Sequence, residues 1–503
     1  MMKQIIPTAK KIRWRAGVIG LLLLFVLAGT AVYAAAQSES RQWEGPVLLS
    51  NPGVVETGEA KMVPDPYGNL HVFWSEVNPA DRVHSIQYTV FDGESWAKPV
   101  DIFFAPRGFE IVSYAAAVDD QGQLYLVWNQ GNVGPLLFAS APIDTAMSAQ
   151  AWSEPQTIDA PAHKVHFEID SQGTFHIMYE NFYGQEPGIY YMRTERDSSS
   201  LSVPFWLDPD VPQGFAPTLL KFVIDDQDGL HATWYYRSTE PGNLIVADWV
   251  RYAHSLDGGR DWSIPITIDR VEGDDAVDEL RLPHPGLAVT GSQVHIVWAG
   301  NENTEREHRY SLDRGLTWTN TERILGNLHG QGLGGGLVID AIGRIHYFAQ
   351  IRWPQGVYHM IWDGEQWLDP SMIYFIARGG TEDREGRYHA HSVRAGIRAG
   401  NQLVVTFTDE ATGPTYAMWA TLDDVASVET AAPQPTPTAV SEVAAVPLAV
   451  NPTPTTIPLD AASQAAPFDS PNTASGLWLG LVPAGLLLLG IVFFFGFWSR
   501  QRA

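Results

Sequence analysis

Residues 65–74 read DPYGNLHVFW, a short polar turn followed by a run of β-forming residues, and this pattern returns along the chain. An aspartate three residues before a glycine is typical of a tight turn in which the glycine takes a positive φ angle. Related segments lie at 119–128, 170–179, 225–234, 291–298, 340–348 and, in degenerate form, 400–407. Their glycines are 51 to 62 residues apart, so the chain contains seven repeats of a turn and a strand.

Each repeat also supplies two further strands. A third strand is predicted at segments such as 85–90, and a fourth begins near a Trp-x-x-Pro element, as at 96–99 and 152–155. Four strands in about 50 residues, repeated around a ring, are typical of a β-propeller. We therefore predict an all-β, seven-bladed propeller over residues 42–425, with six blades and an irregular extra element as the alternative.

The ends of the repeat region predict how the ring closes. The last repeat has a third strand at 415–420 but no Trp-x-x-Pro strand after it. The missing element stands at the start of the region, where residues 43–49 read WEGPVLL. We predict that this segment forms the outermost strand of the last blade, because closure removes the exposed edge of an open array.

Two segments between the third and fourth strands match the pattern Ser-x-Asp-x-Gly-x-x-Trp. They contain Ser255, Asp257, Gly259 and Trp262, and Ser311, Asp313, Gly315 and Trp318. Shortened versions occur at 92–96 and 363–367. In these motifs the chain resembles the sialidase-like (BNR/Asp-box) propeller superfamily over residues 42–425. The resemblance implies that the boxes are folding devices on the face away from the ligand site.

The chain does not match the first of the catalytic-site residues that characterise sialidases. Sialidases hold the substrate carboxylate with three arginines, the first in an Arg-Ile-Pro element of the first blade, and use a Tyr-Glu pair and an Asp for catalysis. Here the corresponding segment, 59–64, reads EAKMVP and has no arginine. The arginines outside that segment match no family motif: Arg107, Arg281, Arg306, Arg352 and Arg394.

We therefore expect a non-catalytic recognition or scaffold module for glycans or surface proteins. The alternative is an extracellular sialidase-like glycoside hydrolase. Hydrolysis needs paired carboxylates across the channel. By loop position the candidates are Glu76, Glu110, Glu180 and Glu302.

The segment before the last blade is rich in groups that bind sugars. Residues 378–391 contain three arginines, three acids and two histidines. Guanidinium groups bind carboxylates, and a tyrosine ring stacks on a pyranose face. The ligand-binding candidates are Arg378, Arg384, Arg387, Tyr388, His389 and His391. A solvated, self-paired loop is the alternative interpretation.

Metal binding has one weak candidate. Residues 272–279 read EGDDAVDE, and Asp274, Asp275 and Asp278 offer the carboxylates that calcium prefers, although their spacing matches no defined calcium loop. A hydrated acidic loop is the alternative, and no other cofactor is expected. One repeat position holds five histidines, which favours packing or a backbone hydrogen bond over metal binding: His71, His176, His231, His295 and His346.

Composition excludes several classes of function. The chain of 503 residues carries 57 acidic against 32 basic residues, a net charge of −25. Such a charge repels phosphate backbones, so nucleic acid is not an expected partner. The absence of cysteine excludes disulfides, thiolate metal sites and cysteine nucleophiles.

The two ends of the chain predict export and membrane attachment. Residues 1–36 have a basic start and an apolar run typical of a signal peptide, or of an uncleaved signal anchor. Residues 477–498 lack charge and are long enough for a transmembrane helix, with 499–503 as a cytoplasmic tail. Residues 426–476, rich in Pro, Thr and Ala, indicate a disordered stalk. We expect a single-pass membrane protein with an extracellular propeller, on a bacterial cell surface.

Overall fold

The computed structural model describes residues 41–430, with gaps at 55, 133, 159, 184–185, 195–199, 241–245, 271–282, 300–305, 327, 329–334, 353–354, 376–390, 409–412 and 429. Within this part the chain forms 28 β-strands and one short 3₁₀ helix, Ala149–Ala151. The strands form seven antiparallel sheets of four strands each. The predicted all-β, seven-bladed propeller is therefore confirmed, and the six-bladed alternative is wrong.

Each sheet is one blade, and in the first six blades the strands follow one another in the chain from the innermost to the outermost. Blade 1 contains β2 (Lys61–Pro64), β3 (Leu70–Val77), β4 (His84–Phe91) and β5 (Val100–Phe104). Blade 2 contains β6 (Tyr114–Val118), β7 (Gln123–Asn129), β8 (Leu136–Pro142) and β9 (Gln156–Ile158). Blade 3 contains β10 (Lys164–Ile169), β11 (Phe175–Asn181), β12 (Gly188–Arg193) and β13 (Phe205–Trp206).

Blades 4 to 6 follow the same order. Blade 4 contains β14 (Phe215–Ile224), β15 (Leu230–Ser238), β16 (Val246–Ser255) and β17 (Ile266–Arg270). Blade 5 contains β18 (Gly286–Thr290), β19 (Gln293–Ala299), β20 (Arg306–Ser311) and β21 (Glu322–Arg323). Blade 6 contains β22 (Gly335–Ile339), β23 (Ile345–Arg352), β24 (Gln355–Trp362) and β25 (Ser371–Tyr374).

Blade 7 joins the two ends of the propeller. It contains β26 (His391–Arg398), β27 (Gln402–Thr408), β28 (Thr415–Thr421) and, outermost, β1 (Glu44–Leu48). Strand β1 pairs antiparallel with β28, with Val47 opposite Ala417. The prediction that residues 43–49 close the ring is thus confirmed, with the paired strand covering 44–48.

The innermost strands surround a central channel. Each of β2, β6, β10, β14, β18, β22 and β26 contacts its two neighbours, and β26 returns to β2. All seven run in one direction, from the end that we call the channel mouth towards the Asp-x-x-Gly turns, at the end that we call the base. Because the strands are antiparallel, the loops between second and third strands also lie at the mouth.

Apolar side chains between neighbouring sheets hold the ring together. One cluster joins blades 2 and 3 through residues such as Phe138 and Phe167, and another joins blades 7 and 1 through Trp419 and Trp74. The indole of Trp74 is fully buried. Burial stabilises the fold by roughly 25 cal/mol for each Å² of apolar surface removed from water, so each blade depends on its neighbours.

The repeated histidines form a hydrogen-bonded unit with the turn aspartate. In blade 4, His231 Nε2 lies 3.1 Å from Asp225 Oδ2, and Nδ1 lies 2.7 Å from the hydroxyl of Tyr252. Blades 1 and 3 repeat this arrangement. In blades 5 and 6 a second histidine replaces the tyrosine, and in blade 5 the side chain of Gln293 also replaces the aspartate. A structural role was expected, but the partners are side chains rather than backbone groups. No group of three metal-ligating side chains occurs in the described residues.

The two full box motifs connect each blade to the one before it at the base. Ser255 Oγ accepts from Gly259 N at 2.9 Å and donates to Asp257 Oδ1 at 2.8 Å, and Ser311, Asp313 and Gly315 repeat this pattern. Trp262 packs edge-on against Tyr191, and Trp318 against Tyr252. A Cβ on Gly259 would overlap the Tyr191 hydroxyl, so glycine is required there.

The terminal predictions fall on other parts of the chain. Residues 1–36 and 477–498 lie outside the described residues, among which no helix is long and apolar enough to cross a membrane. The last described segment remains bonded to the propeller, since Val428 N donates to Ala399 O at 2.9 Å, three residues beyond the predicted boundary at 425.

Candidate functional site

Most of the ligand-binding and calcium-binding residues suggested by the sequence lie outside the described residues. This applies to Arg378, Arg384, Arg387, Tyr388 and His389, and to the calcium candidates Asp274, Asp275 and Asp278. His391 opens strand β26, and only its backbone is described. The site at the loop before blade 7 and the calcium site remain predictions.

The described residues bring a different set of charged side chains together at the channel mouth. On β10, Val165 and Phe167 are buried between the sheets, whereas the alternate residues Lys164, His166 and Glu168 are half-buried. Since side chains alternate between the faces of a strand, these three face the channel.

Three other innermost strands and the residues just before them complete this set. Lys61 opens β2 and Glu59 lies two residues before it, while Lys221 lies on β14 and Arg394 on β26. We call Lys61, Lys164, Lys221, Arg394, Glu59, His166 and Glu168 the mouth cluster. They come from four blades, so the ring alone brings them together.

A small cavity opens among these groups. Its volume is about 50 Å³, and Glu59, Lys61, Tyr114, Lys164, His166 and Lys221 contribute to its wall. A buried water needs roughly 10–15 Å³ by this measure, so the cavity holds a few atoms. A carboxylate or sulfate group fits, whereas complete small-molecule ligands occupy pockets of about 300 Å³ or more.

Glu59, an acidic residue of the mouth cluster, is paired with the surrounding cations. Arg394 Nε donates to Glu59 Oε2 at 3.2 Å, and a second guanidinium nitrogen contacts Oε1. Burial alone would raise the pKa of Glu59, but the positive charges of Arg394, Lys164 and Lys221 hold that pKa well below its ordinary value. Glu59 is therefore ionised and neutralises only part of the surrounding charge.

The lysines at the mouth lack enough negative partners. Burial lowers the pKa of Lys61 to about 8, with Arg394 and Lys164 adding to the effect against the attraction of Glu59. Burial, followed by repulsion from Arg394 and Lys61, holds the pKa of Lys221 well below its usual range. An anion placed among these ammonium groups would favour their protonated forms.

Two further groups inside the channel are held in their neutral forms. Burial raises the pKa of Glu168 to about 8, against the opposing charge of Lys61. Burial lowers the pKa of His166 well below its ordinary value, and Lys61 and Lys221 lower it further. At neutral pH the cluster thus carries more positive than negative charge.

His284 adds a strained residue beside the cluster, just before β18. Its φ angle is +44°, which is uncommon for a residue other than glycine, and its buried Nε2 atom has no hydrogen-bond partner in the described structure. Burial foremost, together with repulsion from Arg394 and Lys221 and against the attraction of Glu59, lowers the pKa of His284 to about 3. Strained residues and unpaired buried polar atoms are concentrated at functional sites.

Tyr114, in the wall of the cavity, bonds to backbone groups rather than to a carboxylate side chain. The buried Tyr114 hydroxyl donates to the backbone oxygen of Glu59 at 2.5 Å and accepts from Ser75 N at 3.0 Å. Burial raises the pKa of Tyr114. The hydroxyl therefore bonds to the backbone of Glu59 and is held by two backbone groups.

Five arginines outside the first-blade segment were noted from the sequence. Among those that the structure describes, only Arg394 belongs to the mouth cluster. Arg306 is buried and its Nε donates to the Tyr347 hydroxyl at 3.1 Å, and Arg107 is exposed. The position of Arg281 and the side chain of Arg352 are outside the described part.

The carboxylates expected in the channel have other positions. Glu76 is buried and accepts from Trp74 Nε1 at 2.8 Å, while Glu180 is buried beside His163. Glu110 is exposed, and Glu302 lies outside the described residues. Glu76 and Glu180, which were candidates by loop position, lie on the second strands of their blades and do not contribute to the cavity wall. The alternation Lys164-x-His166-x-Glu168 on an innermost strand was the signal that would have found the site.

Comparisons with known proteins add only distant similarity. No protein-family model and no curated protein matches the chain. Among solved structures it is similar to polysaccharide lyase Uly1 (TM-score 0.47, 12% identity, 76% of this chain and 92% of that chain). It is also similar to the Hadza microbial sialidase Hz136, with a TM-score of 0.40 and 12% identity over 76% of this chain and 69% of that chain. A third similar structure is the intramolecular trans-sialidase from Ruminococcus gnavus, with a TM-score of 0.40 and 9% identity over 77% of this chain and 98% of that chain. Likeness at this level concerns the fold alone.

Proposed function

We propose that the protein binds acidic carbohydrates at the channel mouth and recognises them without cleaving them. The observation that carries this proposal is the convergence of Lys61, Lys164, Lys221 and Arg394 around the single ionised carboxylate of Glu59. The chain has a net charge of −25, yet these cations lie close together. Their burial and mutual repulsion disfavour the protonated lysines, as the lowered pKa values of Lys61 and Lys221 indicate. An anionic ligand offsets that repulsion.

The size of the cavity supports a ligand whose charged group is small. A volume of about 50 Å³ accommodates a carboxylate or sulfate substituent, while the sugar ring that carries it stays outside. Hydrogen bonds between such a group and ammonium or guanidinium donors contribute about 1.5–3 kcal/mol each. His284 Nε2, which has no hydrogen-bond partner among the described residues, is a further polar group beside the cluster.

The overall negative charge supports selectivity against extended polyanions. A long polyphosphate or nucleic acid would contact the acidic surface as well as the mouth, and repulsion over that surface would oppose its binding. A saccharide with one acidic group at the mouth gains the local attraction without that penalty. The proposed ligand class is therefore an acidic sugar rather than any polyanion.

We also propose that recognition takes place outside the cell. The apolar segments at 1–36 and 477–498 and the Pro-rich stretch 426–476 support export and attachment through a stalk. In the propeller, strand β1 begins at the base because it is antiparallel to β28, and Val428 also bonds to a turn at the base. Neither described end of the chain covers the mouth.

Glycoside hydrolysis is a second candidate, favoured by one observation. Burial raises the pKa of Glu168 to about 8, so this carboxyl is mainly protonated at neutral pH, as a general acid must be. Against this, Glu59 is engaged by Arg394 and Tyr114 bonds to backbone groups. We therefore rank recognition first.

The binding proposal is tested with acidic sugars and their neutral counterparts. Full-length protein in detergent micelles is titrated with galacturonate, N-acetylneuraminate and glucose 6-sulfate, each beside galactose or glucose. We expect at least one of the acidic sugars to bind and the neutral sugars not to bind. The affinity for that acidic sugar should fall by at least about tenfold in Lys164→Met and in Lys221→Met. The control is Lys98, which is exposed at the base of the propeller, and Lys98→Met should leave the affinity unchanged. Equal binding of neutral sugars, or unchanged affinity in both mouth variants, contradicts the proposal.

The catalytic alternative is tested by product formation. A fluorogenic sialoside and acidic oligosaccharides are incubated with the same preparation, and the products are separated by chromatography. Recognition without cleavage predicts no product above a protein-free control. Turnover that disappears in Glu168→Gln would show hydrolysis and overturn the non-catalytic assignment.

A further inference from the structure

An exposed aromatic ring stands beside the mouth on blade 3. Tyr183, in the loop between β11 and β12, is 54% exposed. Its ring packs edge-on against His163 at 5.0 Å and against the buried Phe182 at 4.7 Å. These contacts hold the tyrosine ring in place, although about half of its surface is open to solvent.

A continuous set of contacts connects this ring to the cavity. His163 precedes Lys164, and its Nδ1 lies 2.9 Å from Oε1 of the buried Glu180. The Glu180 carboxylate also accepts from Thr218 Oγ1 at 3.2 Å and from Leu220 N at 3.4 Å. Leu220 lines the mouth cavity. Glu180 therefore supports the aromatic ring on one side and the cavity wall on the other.

Other exposed aromatic rings lack this combination. Phe205 is 50% exposed, but it lies on the outermost strand of blade 3, at the rim of the propeller. Phe109 is 52% exposed in the loop that leads to β6, and no ring contact supports it among the described residues. Within the described part of the chain, Phe104 and Phe375 are also exposed, but Tyr183 is the exposed aromatic residue for which both ring contacts and a connection to the cavity are seen.

We propose that Tyr183 is a stacking platform for a second sugar ring, so that the ligand is an acidic oligosaccharide rather than a free monosaccharide. This inference rests on the proposed function and adds a subsite to it. The cavity takes the charged substituent, the ring that bears it covers the mouth, and the next ring packs against the exposed part of Tyr183. Aromatic rings are well suited to this contact because they present a flat apolar face with little conformational entropy to lose.

The test compares one sugar with its own oligomers. Galacturonate, digalacturonate and trigalacturonate are titrated against full-length protein in detergent micelles by calorimetry. Wild-type protein is expected to bind the dimer about tenfold more tightly than the monomer. Tyr183→Ala removes that gain and leaves the affinity for the monomer unchanged. Tyr183→Phe keeps the ring and retains most of the gain.

Controls separate the subsite from the cavity and from folding. Phe205→Ala removes an exposed ring from the same blade and leaves all affinities unchanged. Lys164→Met weakens monomer and dimer equally. An unchanged preference for the dimer in Tyr183→Ala overturns the subsite while the proposed function stands. Failure of the wild-type protein to bind either monomer or oligomers overturns the proposed function and the subsite with it.

Discussion

At the scale of single residues, each buried turn aspartate accepts hydrogen bonds from several parts of the propeller at once. Asp225 accepts from the backbone nitrogens of Gln227 and Gly229, from His231 and from Arg314 of the next blade. Burial alone would raise the pKa of Asp225, but these donors, His231 foremost, lower it well below the ordinary value. One carboxylate thus fixes a turn, orients a core histidine and joins two blades.

Asp225→Ala tests this role. The substitution leaves several buried donors without an acceptor, so we expect the free energy of unfolding to fall by about 3 kcal/mol. Thermal unfolding followed by circular dichroism measures the change. The control is Asp363→Ala, because Asp363 also accepts from two turn nitrogens but is exposed, and we expect a loss of about 1 kcal/mol or less. Equal losses in the two variants would contradict the assigned importance of the buried unit.

The histidine positions illustrate what a repeated residue does and does not reveal. The recurrence of His71, His176 and His231 predicted a structural role, because identical positions in separate blades do not form one site. Their tyrosine partners were not predicted. Tyr88, for example, lies 17 residues from His71 on the adjacent strand, and a sequence does not give the register between strands.

At the scale of elements, strand β1 determines whether the propeller is closed. Gly45 of this strand has a φ angle of +98°, and a Cβ there would lie 2.8 Å from the backbone oxygen of Ala417 on β28. That oxygen belongs to the paired strand and does not move away without disturbing the pairing. Trp43, just before β1, adds edge contacts to Phe348 and His359 of blade 6.

Gly45→Ala is therefore expected to weaken ring closure. Both Gly45 and Gly53 have positive φ angles, but no atom lies within 4 Å of a Cβ added to Gly53. Gly53→Ala thus measures the conformational cost alone, about 1 kcal/mol, and Gly45→Ala adds the clash, for about 2–3 kcal/mol in total. The midpoint temperature of unfolding, measured for both variants, should be lower for Gly45→Ala. Indistinguishable midpoints would argue against β1 as a constrained closing strand.

The elements also show why the sequence predicted the fold better than the site. Blade number and closure follow from a local pattern that returns seven times, and each copy adds to the signal. The mouth cluster has no such repetition. Lys61, Lys164, Lys221 and Arg394 are far apart in the chain, and each looks like an ordinary charged residue until the ring brings four innermost strands together.

At the scale of the whole molecule, charge is distributed unevenly. The chain carries a net charge of −25, yet cations exceed ionised acids at the mouth. Low-dielectric channel walls concentrate the field of such a cluster. Net negative charge over the whole chain thus coexists, among the described residues, with a small region at the mouth where positive charge predominates.

The same distribution makes ligand binding depend on pH. Among the described residues, the charged and titratable groups that interact with Lys61 at the mouth are Glu59, Lys164, His166, Glu168, Lys221 and Arg394. Burial lowers the pKa of Lys61 to about 8 and raises that of Glu168 to about 8. As the pH rises through 8, Lys61 loses its positive charge and Glu168 gains a negative one, and both changes weaken anion binding. Conversely, a bound anion raises both pKa values, so binding at this pH takes up protons.

Calorimetry of galacturonate binding at pH 8, in two buffers with different ionisation enthalpies, measures that uptake directly. If the acid group enters the mouth cluster, the observed heats differ between the buffers by an amount that corresponds to net protons taken up by the protein. The same experiment with Lys61→Met should show a smaller uptake. Binding with no proton exchange, or with proton release, would contradict an anion site among the lysines of the channel mouth.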